Sequence, residues 1–113
     1  MAEDYTVFWK NNAHAYQLFQ SLLERAERGA YNDDFLAQLA AYRETAPESE
    51  RADIFASWYL LAHGDAENAA RCGVNAFRKR PVNYEVWKIL AASYKALGRD
   101  MEAIDFIGYA YGL

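Results

Sequence analysis

Apolar residues recur at three-and-four spacing along most of this chain, and the pattern is interrupted at glycine and proline. From Asn12, the positions Ala15, Leu18, Phe19, Leu22, Leu23 and Ala26 share one side of a helix, and the pattern ends near Gly29. A second helix is predicted after Asn32 or Asp33, either a suitable N-cap, carrying Phe35, Leu36, Leu39 and Tyr42 until Pro47 forbids continuation. A third opens on Ser49 and runs to His63, where Gly64 breaks it, and Asp65 caps a fourth that continues through Lys79. The third carries Ile54, Phe55, Trp58, Tyr59, Leu60 and Leu61 and is apolar nearly all round, which marks a helix contacted on more than one side. We therefore place it in the middle of the domain. Asn83, after Pro81, caps a fifth helix over about 84–97, and a sixth is predicted over about 100–111. Residues 1–11 keep no clean helical period despite Tyr5, Val7, Phe8 and Trp9, and read as an N-terminal arm.

The predicted helices come in pairs, and the pairs repeat. At an offset of thirty-four residues Pro47 matches Pro81, Gly64 matches Gly98, Ala69 matches Ala103 and Ala76 matches Ala110. The copies span about 12–47, 49–81 and 83–113, within a single domain over 12–113. In the last copy Trp87, Leu90, Ala91 and Tyr94 precede Gly98, and Ala103, Ile107, Ala110 and Tyr111 follow it. This order resembles the tetratricopeptide repeat, whose Trp, Leu, Tyr, Ala and Pro signature lies on a helix-turn-helix unit. The resemblance covers about residues 16–112 and is specific in the last two copies. The first copy is the most degenerate, with Phe35 and Tyr42 where later copies have alanines and Gly29 one residue early, so an altered packing angle is expected there. In the second copy Asp53 stands in the place of Trp87 and Gly73 in the place of Ile107, so two bulky packing residues are missing.

The resemblance implies an all-α fold of helix-turn-helix repeats stacked as a short right-handed α-solenoid. The first helix of each repeat then lines a concave groove. In the third repeat Lys88, Ala92 and Lys95 lie off the core face at four-and-three spacing. The repeat offset carries these positions to Ile54, Trp58 and Leu61, and a second shift carries them to Gln20, Glu24 and Glu27. The expected groove runs from an acidic wall through an apolar centre to a basic wall. Trp58 is its expected anchor for a peptide or helix of a partner protein, although packing against the arm or the first repeat would also account for that tryptophan. The terminal-carboxylate clamp of chaperone-associated members is not expected: Lys88 and Lys95 are present, but Phe55 and Ile89 stand where asparagine is wanted and Gln20 where lysine is wanted.

Composition narrows the class further. The chain has 113 residues, 53% of them hydrophobic, with nine Tyr, six Phe and three Trp, which suits a folded domain with one core. Residues 1–50 hold four Lys/Arg against nine Asp/Glu, and residues 51–113 hold eight against seven. A net charge of −4 argues against nucleic acid as a partner, because phosphate contacts need a clustered basic surface. No apolar run approaches the roughly 20 residues of a membrane span, so no membrane association is expected. The opening MAEDYTVFWKNN lacks a basic segment followed by an apolar one, and Cys72 is the single cysteine; both fit a cytoplasmic protein without disulfides.

Candidate chemistry is sparse, and no enzymatic activity, metal or cofactor is expected. His14, His63 and Cys72 lack the spacing of a shared metal site. His63 reads as a residue at a helix C-terminus and Cys72 as a small core residue. The run Arg78, Lys79, Arg80 reads as a solvated helix end complementing the dipole, and Glu24, Glu27, Asp33 and Asp34 read as solvated acids. The chain closes on FIGYAYGL without a polar capping helix. Phe106, Tyr109 and Leu113 are therefore expected at an association surface, either with a second copy or with the continuation of a longer repeat array. The functional expectation is a protein-interaction scaffold. The alternatives are a small dimeric chaperone or assembly factor, or the regulatory N-terminal module of a larger bacterial enzyme.

Overall fold

The computed structural model of the chain describes residues 13–103. The arm at 1–11 and the expected association residues Phe106, Tyr109 and Leu113 lie outside them. Among the described residues every regular element is an α-helix. The chain divides into two compact units, residues 1–47 and 48–113.

In the first unit, α1 (Ala13–Glu27) packs against α2 (Asp33–Thr45). Asn32 is the N-cap of α2: its Oδ1 accepts from the Phe35 amide at 3.0 Å, which satisfies one of the orphan donors of the first turn. Asp33 and Asp34 follow, where negative charge complements the dipole. Leu22, Phe35 and Tyr42 are fully buried. The Phe19 and Tyr42 rings lie tilted at 6.4 Å, joining the two helices, and Tyr31 meets Phe35 edge-on at 5.1 Å.

In the second unit, α3 (Glu50–Ala62), α4 (Ala66–Lys79) and α5 (Tyr84–Ala96) pack in sequence, α3 also touches α5, and helical backbone resumes at Asp100. The repeat offset holds cap for cap. Ser49 Oγ accepts from the Arg51 amide at 3.2 Å at the start of α3, and Asn83 Oδ1 accepts from the Glu85 amide at 2.8 Å at the start of α5. Asp65 Oδ1 accepts from the Asn68 amide at 3.2 Å to open α4. At the other ends, Gly64 and Gly98 sit in the interhelical bends with φ of 80° and 76°. The Gly64 amide donates to Leu61 O and the Asp65 amide to Leu60 O; the Gly98 amide donates to Lys95 O and the Arg99 amide to Tyr94 O. The first unit repeats this closure at Gly29, whose amide donates to Ala26 O while the Ala30 amide donates to Arg25 O. The pairing of the two amides with carbonyls three and five residues back is the Schellman closure, and its left-handed residue is one that only glycine adopts without strain.

Burial follows the same register. Phe35 and Ala69 are fully buried and Ala103 nearly so; Tyr42 and Ala76, one repeat apart, are both fully buried. The first copy thus keeps the repeat's buried positions and fills them with larger side chains. The second unit's core gathers Ile54, Ala76, Val86 and Leu90, with Trp58, Val74 and Tyr94 packed against it. Burying Ile54, Val86 and Leu90 contributes roughly 1.5–3 kcal/mol each. Residues 52–57 of α3 are all buried, as its all-round apolar pattern predicts.

Three expectations change on contact with the structure. Gly73 is not lost bulk: a Cβ there would stand 2.8 Å from Leu90 Cδ2 and 3.2 Å from Leu90 Cγ, so α5 occupies the space that a side chain on α4 would need. Asp53 is not an empty place in the core either, because Lys79 Nζ lies 2.9 Å from its Oδ2. Lys79 is therefore drawn out of the solvated helix end and across to α3. Cys72 is half-buried rather than enclosed in the core.

Candidate protein-interaction face

The equivalent helices α3 and α5 are held at matching depth by polar contacts as well as by their shared core. Glu50, the first residue of α3, is buried and accepts from Asn83 Nδ2 at 3.2 Å through Oε1. Asn83 is also the N-cap of α5, so one side chain ties together the starts of both helices. Ser57 is fully buried and its Oγ donates to the Ala69 carbonyl at 2.7 Å, which lets α3 and α4 approach closely at two small residues. Ser93, also fully buried, returns its hydroxyl to Ile89 O at 2.8 Å within α5.

The residues expected on the groove fall into three groups. On α3, Ile54 is 8% exposed and belongs to the core cluster, so its side chain is spent on packing. Trp58 is half-buried and packs against that cluster, and Leu61 is half-buried near the end of the helix. On α5, Lys88 and Ala92 are half-buried and Lys95 is exposed. Lys88 Nζ lies 3.6 Å from Glu85 Oε1 and 5.3 Å from the centre of the Tyr84 ring, which draws the ammonium toward the start of α5. On α1 in the first unit, Gln20, Glu24 and Glu27 are all exposed. There Gln20 Nε2 donates to Tyr16 Oη at 2.8 Å, and Glu24 faces Arg28 at 3.9 Å, a surface pair one helical turn apart.

Trp58, Leu61, Lys88, Ala92 and Lys95 thus belong to two neighbouring helices of one unit. Trp58, Leu61 and Ala92 are half-buried, and Lys88 and Lys95 carry the ammonium groups of the set. Nothing in this set resembles a nucleophile with a base. Among the described residues no three His, Cys, Asp or Glu side chains are gathered for a metal ion. His63 closes α3 as its C-cap, its ring 4.3 Å from that of Tyr59. No described helix is long and apolar enough to cross a membrane.

The sequence alone did not reveal the polar ties at Glu50 and Asp53. Their one local signal was an acid at each of two positions in a helix otherwise apolar nearly all round. Comparison with protein-family models, with curated protein sequences and with solved structures found no match to this chain.

Proposed function

We propose that this protein is an interaction module of the tetratricopeptide type. It recognises an extended or helical segment of a partner protein on the face shared by α3 and α5. The observation that supports this most directly is the side-by-side contact of α3 and α5, two helices thirty-four residues apart that are capped alike at both ends. Contact between alternate helices is what stacking of helix pairs in phase requires, and it lines up half-exposed residues of successive repeats. Leu61 and Ala92 with the open edge of Trp58 supply an apolar seat, while Lys88 and Lys95 favour acids on the bound segment. The preferred ligand is therefore a segment with a large apolar residue and one or two acidic residues about one helical turn away.

Panning a random peptide library against the protein tests this. Enriched sequences should combine an apolar anchor with acids and should lose at least tenfold in affinity for a Leu61→Glu, Lys95→Glu double variant. Lys95 is exposed and Leu61 half-buried at the end of α3, so the variant should stay folded, which a melting curve checks. Trp58 is unsuitable as a probe because it also packs on the core. Enriched peptides that bind the double variant equally well, or no enrichment over an unrelated helical protein, would overturn the proposal.

A further inference from the structure

A second surface of the same unit has a different chemistry. Along α4 the residues Glu67, Arg71, Asn75 and Arg78 recur at four, four and three positions and so share one stripe. Facing this stripe are Tyr94 and Leu97 at the end of α5 and Arg99 in the turn after it, and between them lies an open cavity of about 480 Å³. Ala70, Val74 and Tyr94 make its floor, with Val74 and Tyr94 resting on the core cluster. Its lining holds three arginines and the carboxylate of Glu67, and a second carboxylate, that of Glu102, lies against Arg99.

Those arginines are not equally committed. Arg71 Nη2 lies 3.2 Å from Glu67 Oε1, an exposed pair worth little in water. Arg99 is positioned twice: its guanidinium lies 5.0 Å from the centre of the Tyr94 ring and its Nη2 lies 2.9 Å from Glu102 Oε1. The Arg78 side chain is exposed and takes part in no ion pair or hydrogen bond among the described residues, although the chain carries more acids than bases. A guanidinium presents a planar fork that matches a carboxylate or phosphate with two parallel hydrogen bonds. Cations gathered on one side of an apolar floor raise the local concentration of such anions, and the floor offers the ligand's body a seat. The volume lies within the range of small-molecule sites.

We infer that this cavity between α4 and α5 binds a small ligand that carries a carboxylate or phosphate group on an apolar body. The oxyanion sits between Arg78 and Arg99, and the body lies over Val74, Tyr94 and Leu97. This site is separate from the α3–α5 face, and its occupant is a small molecule rather than a protein segment.

Titration of the isotope-labelled full chain with benzoate and with phenyl phosphate, followed by amide chemical shifts, tests the inference. Inorganic phosphate and benzyl alcohol serve as controls for the oxyanion and the body alone. At least one of the two ligands should give saturable shifts at Asn75, Arg78, Leu97 and Arg99, weakened by added salt and absent at Leu61. Which of the two binds identifies the group as carboxylate or phosphate. Arg78→Gln should weaken binding at least tenfold without lowering the melting temperature, and Arg99→Gln should weaken it likewise in a protein that remains folded, whereas the Leu61→Glu, Lys95→Glu variant should bind as wild type does. Three results would each overturn the inference: no saturable shift with either ligand, an Arg78→Gln affinity within twofold of wild type, or inorganic phosphate binding as tightly as phenyl phosphate. None of them bears on peptide capture at α3 and α5.

Discussion

Lys79 Nζ lies 2.9 Å from Asp53 Oδ2, and the two partners differ in their access to water: the aspartate side chain is 4% exposed and the lysine side chain 28%. The pair joins the start of α3 to the end of α4. Losing the lysine removes the Lys79 charge from beside a carboxylate in the core, whereas losing the aspartate leaves an ammonium on a flexible stem that can reach solvent. Lys79→Ala should therefore destabilise by about 2–3 kcal/mol, and Asp53→Leu by much less or not at all. Urea unfolding at unchanged m-value measures both. Equal losses would show that the pair itself, rather than the buried charge, sets the cost.

Gly98 tests the helix-end chemistry apart from packing. Its φ is 76°, and nothing lies within 4 Å of where a Cβ would stand, so alanine meets no clash and pays only for the left-handed backbone. Gly98→Ala should cost about 1 kcal/mol, and a D-alanine introduced by chemical ligation should cost nothing. Gly64, with φ of 80° and the same open surroundings, should behave alike.

Gly73 tests packing apart from backbone. It is helical, and alanine there gains about 1 kcal/mol of helix propensity but must displace the end of the Leu90 side chain. The two terms oppose each other, so Gly73→Ala should destabilise by about 1 kcal/mol or less. Gly73→Ile, which installs the residue found one repeat later at Ile107, should cost more than about 3 kcal/mol. Thermal melts of the two variants check the order, and tolerance of isoleucine would mean that α4 and α5 can separate freely.

Asp65 carries the pH prediction. Hydrogen bonds from the Asn68 side chain and backbone amide hold its carboxyl below the usual aspartate range, with Arg71 adding a smaller pull and partial desolvation opposing. A depressed folded value means that folding favours the carboxylate. Its contribution is complete above the unfolded value of about 3.9 and is lost as pH falls through the lower folded value. The stability difference between wild type and Asp65→Asn should therefore be flat above about pH 5 and shrink in more acid solution. A difference that does not vary with pH would show that the cap works through its hydrogen bond alone.

The helix ends were readable residue by residue. Ser49, Asp65 and Asn83 cap, and Gly64 and Gly98 close, because each acts on backbone groups within a few positions of itself. The thirty-four-residue register was readable for the same reason, since each repeat carries its own punctuation and its own small residues at Ala69 and Ala103. The placement of the third helix between neighbours was readable from its all-round apolar pattern, but the side-chain partners across helices were not. The repeat offset sets Ile54 and Lys88 at equivalent positions, yet Ile54 enters the core while Lys88 stays near water, because burial is decided by the neighbour and not by the spacing. Gly73 looked like missing bulk until Leu90 was seen filling its place, and Asp53 like a lost tryptophan until Lys79 was found beside it. The cavity under Arg71, Arg78 and Arg99 likewise exists only once α4 and α5 are set against each other. Local hydrogen bonds fix where helices begin and end, whereas side-chain partners across helices are chosen by packing, which acts between residues far apart in the chain.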